Sequence, residues 1–143
     1  MRLSALRANL PALIRVAAMV CVVALAVLSL MPGKEFVRTD IAKLGYGKQI
    51  EHFIAYFGAT TLLGLAYPAR LRPLTLLLVL TPYAGVLEIA QIYVPGRGAS
   101  VMDFSASAAG IAAGALLLPL AWRTLALAFT LRPATIARDR DGH

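Results

Sequence analysis

The stretch FSASAAGIAAGALLLPLAW, from Phe104 to Trp122, contains no charged residue. A helix needs about 20 predominantly apolar residues to cross the hydrocarbon layer of a membrane, and this stretch comes close to that length. Three further charge-free runs precede it, at Val16–Met31, Phe53–Pro68 and Pro73–Leu87. With their flanking residues, the four runs predict membrane spans near 11–31, 50–68, 73–94 and 104–123.

The composition excludes an ordinary soluble helical bundle. Of the 143 residues, 59% are hydrophobic and 15% are charged. A helix of a soluble bundle keeps one polar face, and none of the four runs has one. The chain shows no internal repeat, flexible linker or low-complexity tract. Residues 1–143 therefore predict a single all-α membrane domain, a compact bundle of four transmembrane helices.

The distribution of Lys and Arg predicts the orientation of this bundle. With four spans, both termini and the loop between the second and third spans share one side, which collects nine of these residues against five on the other side. An excess of Lys and Arg marks cytoplasmic loops. Arg70 and Arg72, in the tight loop YPARLRP, are the strongest such marker. The sequence thus predicts a multi-pass protein of the bacterial cytoplasmic membrane with both termini in the cytoplasm.

The sequence disfavours both a cleaved signal peptide and a nucleic-acid partner. The first span lacks an Ala-x-Ala-like cleavage site in its exit LSLMPGKE, so it is predicted to be a retained span rather than a signal peptide. The net charge of +7 is spread over both sides of the bundle. We therefore interpret this charge as a topology signal and an attraction to anionic lipid, and we expect no nucleic-acid partner.

Polar side chains occur at similar depths in three of the predicted spans. His52 and Tyr56 lie near the start of the second span, Glu88 and Gln91 near the end of the third, and Asp103 at the start of the fourth. These positions all fall in the outer third of the membrane, whereas the inner halves of the spans are apolar. The sequence therefore predicts a shared polar pocket that opens toward the exterior.

Helical spacing places these side chains on single faces. His52, Tyr56 and Thr60 repeat every four residues, and Glu88 and Gln91 are three apart. On the fourth span, Gly110 and Gly114 form a GxxxG pattern, which allows a second helix to approach closely. We expect these two glycines to serve helix packing and the polar stripes to converge beside them.

Each polar residue also has a structural alternative. Glu88 is costly inside a membrane, which favours a site role, but a hydrogen bond to Tyr56, His52 or Arg97 would also account for it. Asp103 could cap the fourth span. The His, Glu and Asp lack the spacing of known metal motifs, and Ser100 is not in a nucleophile motif, so the sequence predicts no metal, no cofactor and no assigned catalytic residue.

The residues that carry these predictions resemble the VanZ-like family of small bacterial membrane proteins. HFIAYFGATTLLGLAY and LEIAQIYVPGRGASVMDFSASAAGIAAG are similar to the family's order of His-x-x-x-Tyr, Glu-x-x-Gln, Pro-x-Arg, Ser, Asp and a glycine-bearing helix. The similarity covers about residues 45–120. Lys48-Gln49 stands where the family usually has Asp-Lys, and Ser107 where it usually has Asn. The resemblance implies a cell-envelope role, in a family named for a link to glycopeptide resistance.

Three classes of function follow, in this order. The first is binding of an anionic lipid or a lipid-linked cell-wall precursor; the predicted ligand-binding residues are His52, Tyr56, Glu88, Gln91, Arg97, Asp103, Ser100 and Lys48. The second is a membrane enzyme acting on such a lipid, with Glu88 or His52 as general base. The third is transport or proton coupling through Glu88. The sequence leaves the oligomeric state open, a homo-oligomer included.

Overall fold

The computed structural model describes residues 2–32 and 45–130, with side chains described for 9–32 and 45–127. Within these ranges the chain is helical and contains no strand. The four helices are α1 (Arg2–Leu30), α2 (Gly47–Ala66), α3 (Pro73–Ala90) and α4 (Val101–Thr130), and a short 3-10 turn, Gln91–Tyr93, follows α3. The predicted all-α fold with four helices is confirmed. The charged loop with Lys34, Arg38 and Lys43, and the tail from residue 131, lie outside the described residues.

Three of these helices are long and apolar enough to cross a membrane. The segments that meet this condition in the described part of the chain are Asn9–Leu30, Pro73–Tyr93 and Val101–Leu127. They coincide with the first, third and fourth predicted spans. Helix α2 has 20 residues but is less apolar, because Lys48, Glu51 and His52 lie in its first two turns.

Helix α2 is nevertheless the centre of the bundle. It packs most extensively on α4, and α1 packs on α2 more than on α3. The core between the helices is formed by buried side chains from all four, among them Leu25, Tyr56, Leu80, Ile111 and Leu118. Many other apolar side chains on α1, α3 and α4 point outward and are exposed on the protein surface. This is the distribution expected of helices whose outer faces contact lipid rather than water.

The α2–α4 contact depends on two glycines. A Cβ atom placed on Gly110 would collide with the backbone carbonyl oxygen of Phe53, and one on Gly114 would lie 2.9 Å from Cβ of Thr60. The two backbones are therefore in direct contact at this point. Gly110 and Gly114 therefore lie where α4 approaches α2 most closely, and the neighbour of the GxxxG face is α2 within the same chain.

The connections place the polar helix ends at one end of the bundle. Helix α2 begins there, α3 ends there and α4 begins there, whereas the turn at residues 67–72 lies at the opposite end. At that opposite end Arg70 and Arg72 are at the surface, and the guanidinium of Arg15 lies 5.8 Å from the centre of the Tyr67 ring. One end of the bundle therefore carries arginine side chains, and the other carries the polar helix ends at which a site can form.

Candidate functional site

The polar end of the bundle brings three titratable side chains together. His52 of α2, Glu88 of α3 and Asp103 of α4 each place one nitrogen or oxygen atom within 4.8 Å of the other two. Glu88 and Asp103 are buried, with 6% and 0% of their surfaces exposed. The predicted convergence of polar groups from three helices is confirmed for these residues. We call them the His-Glu-Asp cluster.

Asp103 is held by two side chains at the start of α2. The Gln49 amide donates a hydrogen bond of 2.9 Å to Oδ1, and the Lys48 ammonium forms an ion pair with Oδ2. Lys48 and Gln49 precede His52 by four and three residues, so all three lie on one face of α2. The set of predicted ligand-binding residues lacks Gln49, although its spacing from His52 could have placed it there.

Ser100 caps α4, a role that the sequence also allowed for Asp103. The backbone N–H of Asp103 donates to Ser100 Oγ at 3.3 Å, as in an N-cap three residues before an acidic side chain. Asp103 lies in the first turn of α4, where an acid stabilises a helix, but the N-cap oxygen comes from Ser100 and the Asp103 carboxylate faces α2. The oxygen of Ser100 satisfies a helix-end N–H, which accounts for a serine at this position.

Glu88 connects the end of α3 to the start of α4. Its Oε1 accepts a hydrogen bond of 2.7 Å from the backbone N–H of Ser100. The sequence offers Tyr56, His52 or Arg97 as an alternative partner for Glu88; the partner of Oε1 is a backbone amide in the loop. Such a bond stabilises a buried carboxylate by supplying a donor to its charge. Oε1 is thus fixed, and the second oxygen is held in a defined direction.

His52 contacts α4 through a hydroxyl group. Its Nδ1 lies 3.1 Å from Oγ of Ser107, and that hydroxyl donates its single proton to the backbone oxygen of Asp103 at 2.9 Å. When the Ser107 hydroxyl donates to Asp103, Nδ1–H of His52 donates to Ser107. A neutral His52 ring therefore carries its lone pair on Nε2.

Arg97 connects the loop before α4 to the end of α1. Its Nε and one terminal nitrogen donate hydrogen bonds of 2.9 Å to the backbone oxygens of Met31 and Leu28. The last carbonyl groups of a helix have no partner within the helix, and a cation near them also complements the helix dipole. The sequence predicts that Arg97 binds a ligand or neutralises Glu88 and Asp103. The two observed bonds hold the end of α1 against the loop, and the roles of Arg97 toward a ligand or the carboxylates stay predictions.

The remaining predicted residues are buried beside the cluster. Tyr56 is part of the core, and its backbone oxygen accepts a bond of 2.7 Å from the Thr60 hydroxyl. Gln91 has 1% of its surface exposed, and neither its amide nitrogen nor its amide oxygen has a hydrogen-bond partner among the described residues. A buried polar group without a partner costs about 1–3 kcal/mol. Gln91 is therefore an unsatisfied group three residues from Glu88.

The geometry as a whole gives a small and mostly closed polar site. Its carboxylates are buried and oriented by hydrogen bonds, and its exposed edge is formed by Lys48, whose side chain is 41% exposed, and by the half-buried His52 and Gln49. Comparisons with known protein families, curated proteins and solved structures find no match to this chain.

Proposed function

We propose that this chain is a VanZ-like protein of the bacterial cytoplasmic membrane that binds the anionic headgroup of a lipid or a lipid-linked envelope precursor. In this proposal α2 crosses the membrane together with the three more apolar helices, both termini are cytoplasmic, and the polar end of the bundle faces the exterior. Binding occurs at the edge of the His-Glu-Asp cluster. The observation that carries the proposal is the partly exposed Lys48 above two buried carboxylates at one end of the bundle.

The chemistry of Lys48 supports an anionic ligand. An ammonium group has three donors, and the ion pair with Asp103 occupies one direction around it. Its side chain is 41% exposed, so a headgroup phosphate can approach it from the surface. His52 and Gln49, on the same face of α2, add donors and acceptors within reach of such a phosphate. The bulk of a headgroup would remain outside the bundle.

The two ends of the bundle support the proposed orientation. Arg70 and Arg72 at the surface, together with Arg15 beside Tyr67, form a basic end of the kind that stays in the cytoplasm. The length of α2 also supports its assignment as a span, because 20 helical residues extend about 30 Å, the thickness of the hydrocarbon layer. The polar groups then lie at the outer surface.

Binding has more support than catalysis or transport. A general base needs a lone pair in reach of substrate. Glu88 is 6% exposed and its Oε1 already accepts the Ser100 N–H, so of the two candidate bases the half-buried His52 is the one that a substrate can reach. Transport needs a polar route through both halves of the bundle. The buried side chains of α2, α3 and α4 below Thr60 are mostly apolar or glycine.

Lipid retention by a Lys48→Met variant tests the proposal. We expect wild-type protein extracted in mild detergent and supplied with phosphatidylglycerol or a polyprenyl phosphate to retain either lipid in native mass spectrometry. We expect Lys48→Met to reduce this retention about tenfold, which corresponds to about 1.4 kcal/mol, and Lys48→Arg to keep most of it. Zwitterionic phosphatidylcholine provides the reference lipid.

Arg70→Met is the matched control for this experiment. It removes the same charge from an exposed position at the opposite end of the bundle. Equal retention by Lys48→Met and Arg70→Met would contradict headgroup binding at the cluster edge, whereas a loss confined to Lys48→Met would support it.

A further inference from the structure

We propose that His52, Glu88 and Asp103 bind one divalent transition-metal ion, for which Zn²⁺ is the best-fitting species. One imidazole nitrogen and two carboxylate oxygens form a mixed donor set that suits ions of intermediate softness. A site with three protein ligands leaves a further position for water or a ligand oxygen. This inference goes beyond the proposed function, because the ion is expected to bind in the absence of lipid.

The separation of the donor atoms permits such a site after a small adjustment. Zinc ligands lie about 2.0–2.2 Å from the ion, so two ligand atoms are at most about 4.4 Å apart. The three donor atoms of the cluster all lie within 4.8 Å of one another. Side-chain rotations that move these atoms by no more than about 1 Å bring them to coordination distance.

The hydrogen bonds around the cluster orient each ligand as a metal site requires. A metal-bound histidine usually donates its other ring N–H to a neighbouring oxygen, and bound carboxylates are themselves hydrogen-bonded. Here Nδ1–H of His52 donates to Ser107, which leaves Nε2 for the ion. Oε1 of Glu88 accepts the Ser100 N–H, and Oδ1 of Asp103 accepts the Gln49 amide. Each of the three side chains therefore has one polar atom held by a neighbouring residue, and Oδ2 of Asp103 is in addition ion-paired with Lys48.

Gln91 provides an independent indication that a polar species belongs at the cluster. Both polar atoms of its amide are buried and lack a partner in the described part of the chain. Gln91 follows Glu88 by three residues, on the same face. A water molecule bound to the ion would give this amide a hydrogen-bond partner. Without such a species, no hydrogen bond to the described residues offsets the free-energy cost of burying the Gln91 amide.

Lys48 makes the inference distinguishable from lipid binding. Its ammonium forms an ion pair with Oδ2 of Asp103, so it competes with a metal ion for that carboxylate. Removal of the ammonium is expected to strengthen metal binding, whereas the proposed function expects the same change to weaken lipid retention. The two proposals can therefore fail separately.

Titration calorimetry with Zn²⁺ alone tests the site. The protein is stripped with a chelator in detergent and carries His143→Gln, which removes the second histidine of the chain. We expect one ion per chain, at least tenfold weaker binding in each of His52→Gln, Glu88→Gln and Asp103→Asn, and binding several-fold tighter in Lys48→Met. Glu51→Gln removes a neighbouring carboxylate outside the cluster and is expected to leave the affinity unchanged.

X-ray absorption of the zinc-loaded chain keeps the test decisive if a variant fails to fold. The expected spectrum has nitrogen and oxygen ligands with the scattering of one imidazole. The site would be overturned by wild-type affinity in any of the three folded ligand variants, by a zinc spectrum without imidazole, or by no saturable binding to the folded parent chain.

Discussion

Replacement of Gly110 by alanine is expected to lower the free energy of unfolding by about 3 kcal/mol, a large effect for one added methyl group. The new Cβ would collide with the backbone carbonyl oxygen of Phe53. Because a backbone atom cannot rotate away as a side chain can, α2 and α4 must separate along their whole contact. Thermal or denaturant-induced unfolding of the purified protein in detergent, followed by circular dichroism, measures this loss.

Two other glycines give graded controls for Gly110→Ala. A Cβ on Gly58, which is also in α2, meets no atom within 4 Å, so Gly58→Ala should be neutral or stabilise the helix by up to about 1 kcal/mol. The three atoms nearest to a Cβ on Gly64 belong to the side chain of Leu118, which can shift. The free energy of unfolding of Gly64→Ala should therefore lie between those of Gly110→Ala and Gly58→Ala. Equal stability of all three variants would show that α2 and α4 are not in backbone contact.

Replacement of Asp103 by alanine is the second change with a large expected effect. Removing one member of a buried ion pair costs about 3–5 kcal/mol, and we expect a loss nearer 2–3 kcal/mol because Lys48 is partly exposed. Gln49 loses its acceptor as well. Asp103→Asn should cost less, since its amide oxygen can still accept from Gln49. Denaturant titration of the two variants against wild type measures the difference.

A double variant separates the ion pair from other effects of Asp103. Replacing a buried pair by apolar groups is often neutral or stabilising. The combination of Lys48→Met with Asp103→Leu should therefore recover much of the stability lost in Asp103→Leu alone. Additive losses in the double variant would mean that Lys48 and Asp103 do not interact.

The number of helices follows directly from the four charge-free runs, but the helix ends do not. The predicted second span, 50–68, corresponds to helix Gly47–Ala66, and the fourth, 104–123, lies within Val101–Thr130. An apolar run reports the thickness of the hydrocarbon layer, whereas a helix continues until a cap or a turn stops it. Ser100 supplies that cap for α4, and the sequence carries the corresponding signal Ser-x-x-Asp.

The convergence of His52, Glu88 and Asp103 was predictable because depth in a membrane can be counted along each span. The hydrogen-bond and ion-pair partners of these residues were harder to predict from the sequence, because they depend on which helices are neighbours. Arg97 illustrates this: two of its donors bind the backbone oxygens of Leu28 and Met31 at the end of α1, partners that the sequence does not indicate. Nothing in the sequence shows that α1 ends beside this loop.

The meeting of distant segments in one cluster is the claim on which the proposals depend. Solid-state NMR of the lipid-reconstituted protein tests it most directly, by measuring dipolar coupling between ¹⁵N of the His52 ring and ¹³C of glutamate carboxyl groups. In a His143→Gln chain, His52 is the remaining histidine. We predict a coupling that matches the close approach of His52 and Glu88, within 4.8 Å between donor atoms, and that disappears in Glu88→Gln. A coupling unchanged by Glu88→Gln, or absent from the parent chain, would contradict the account.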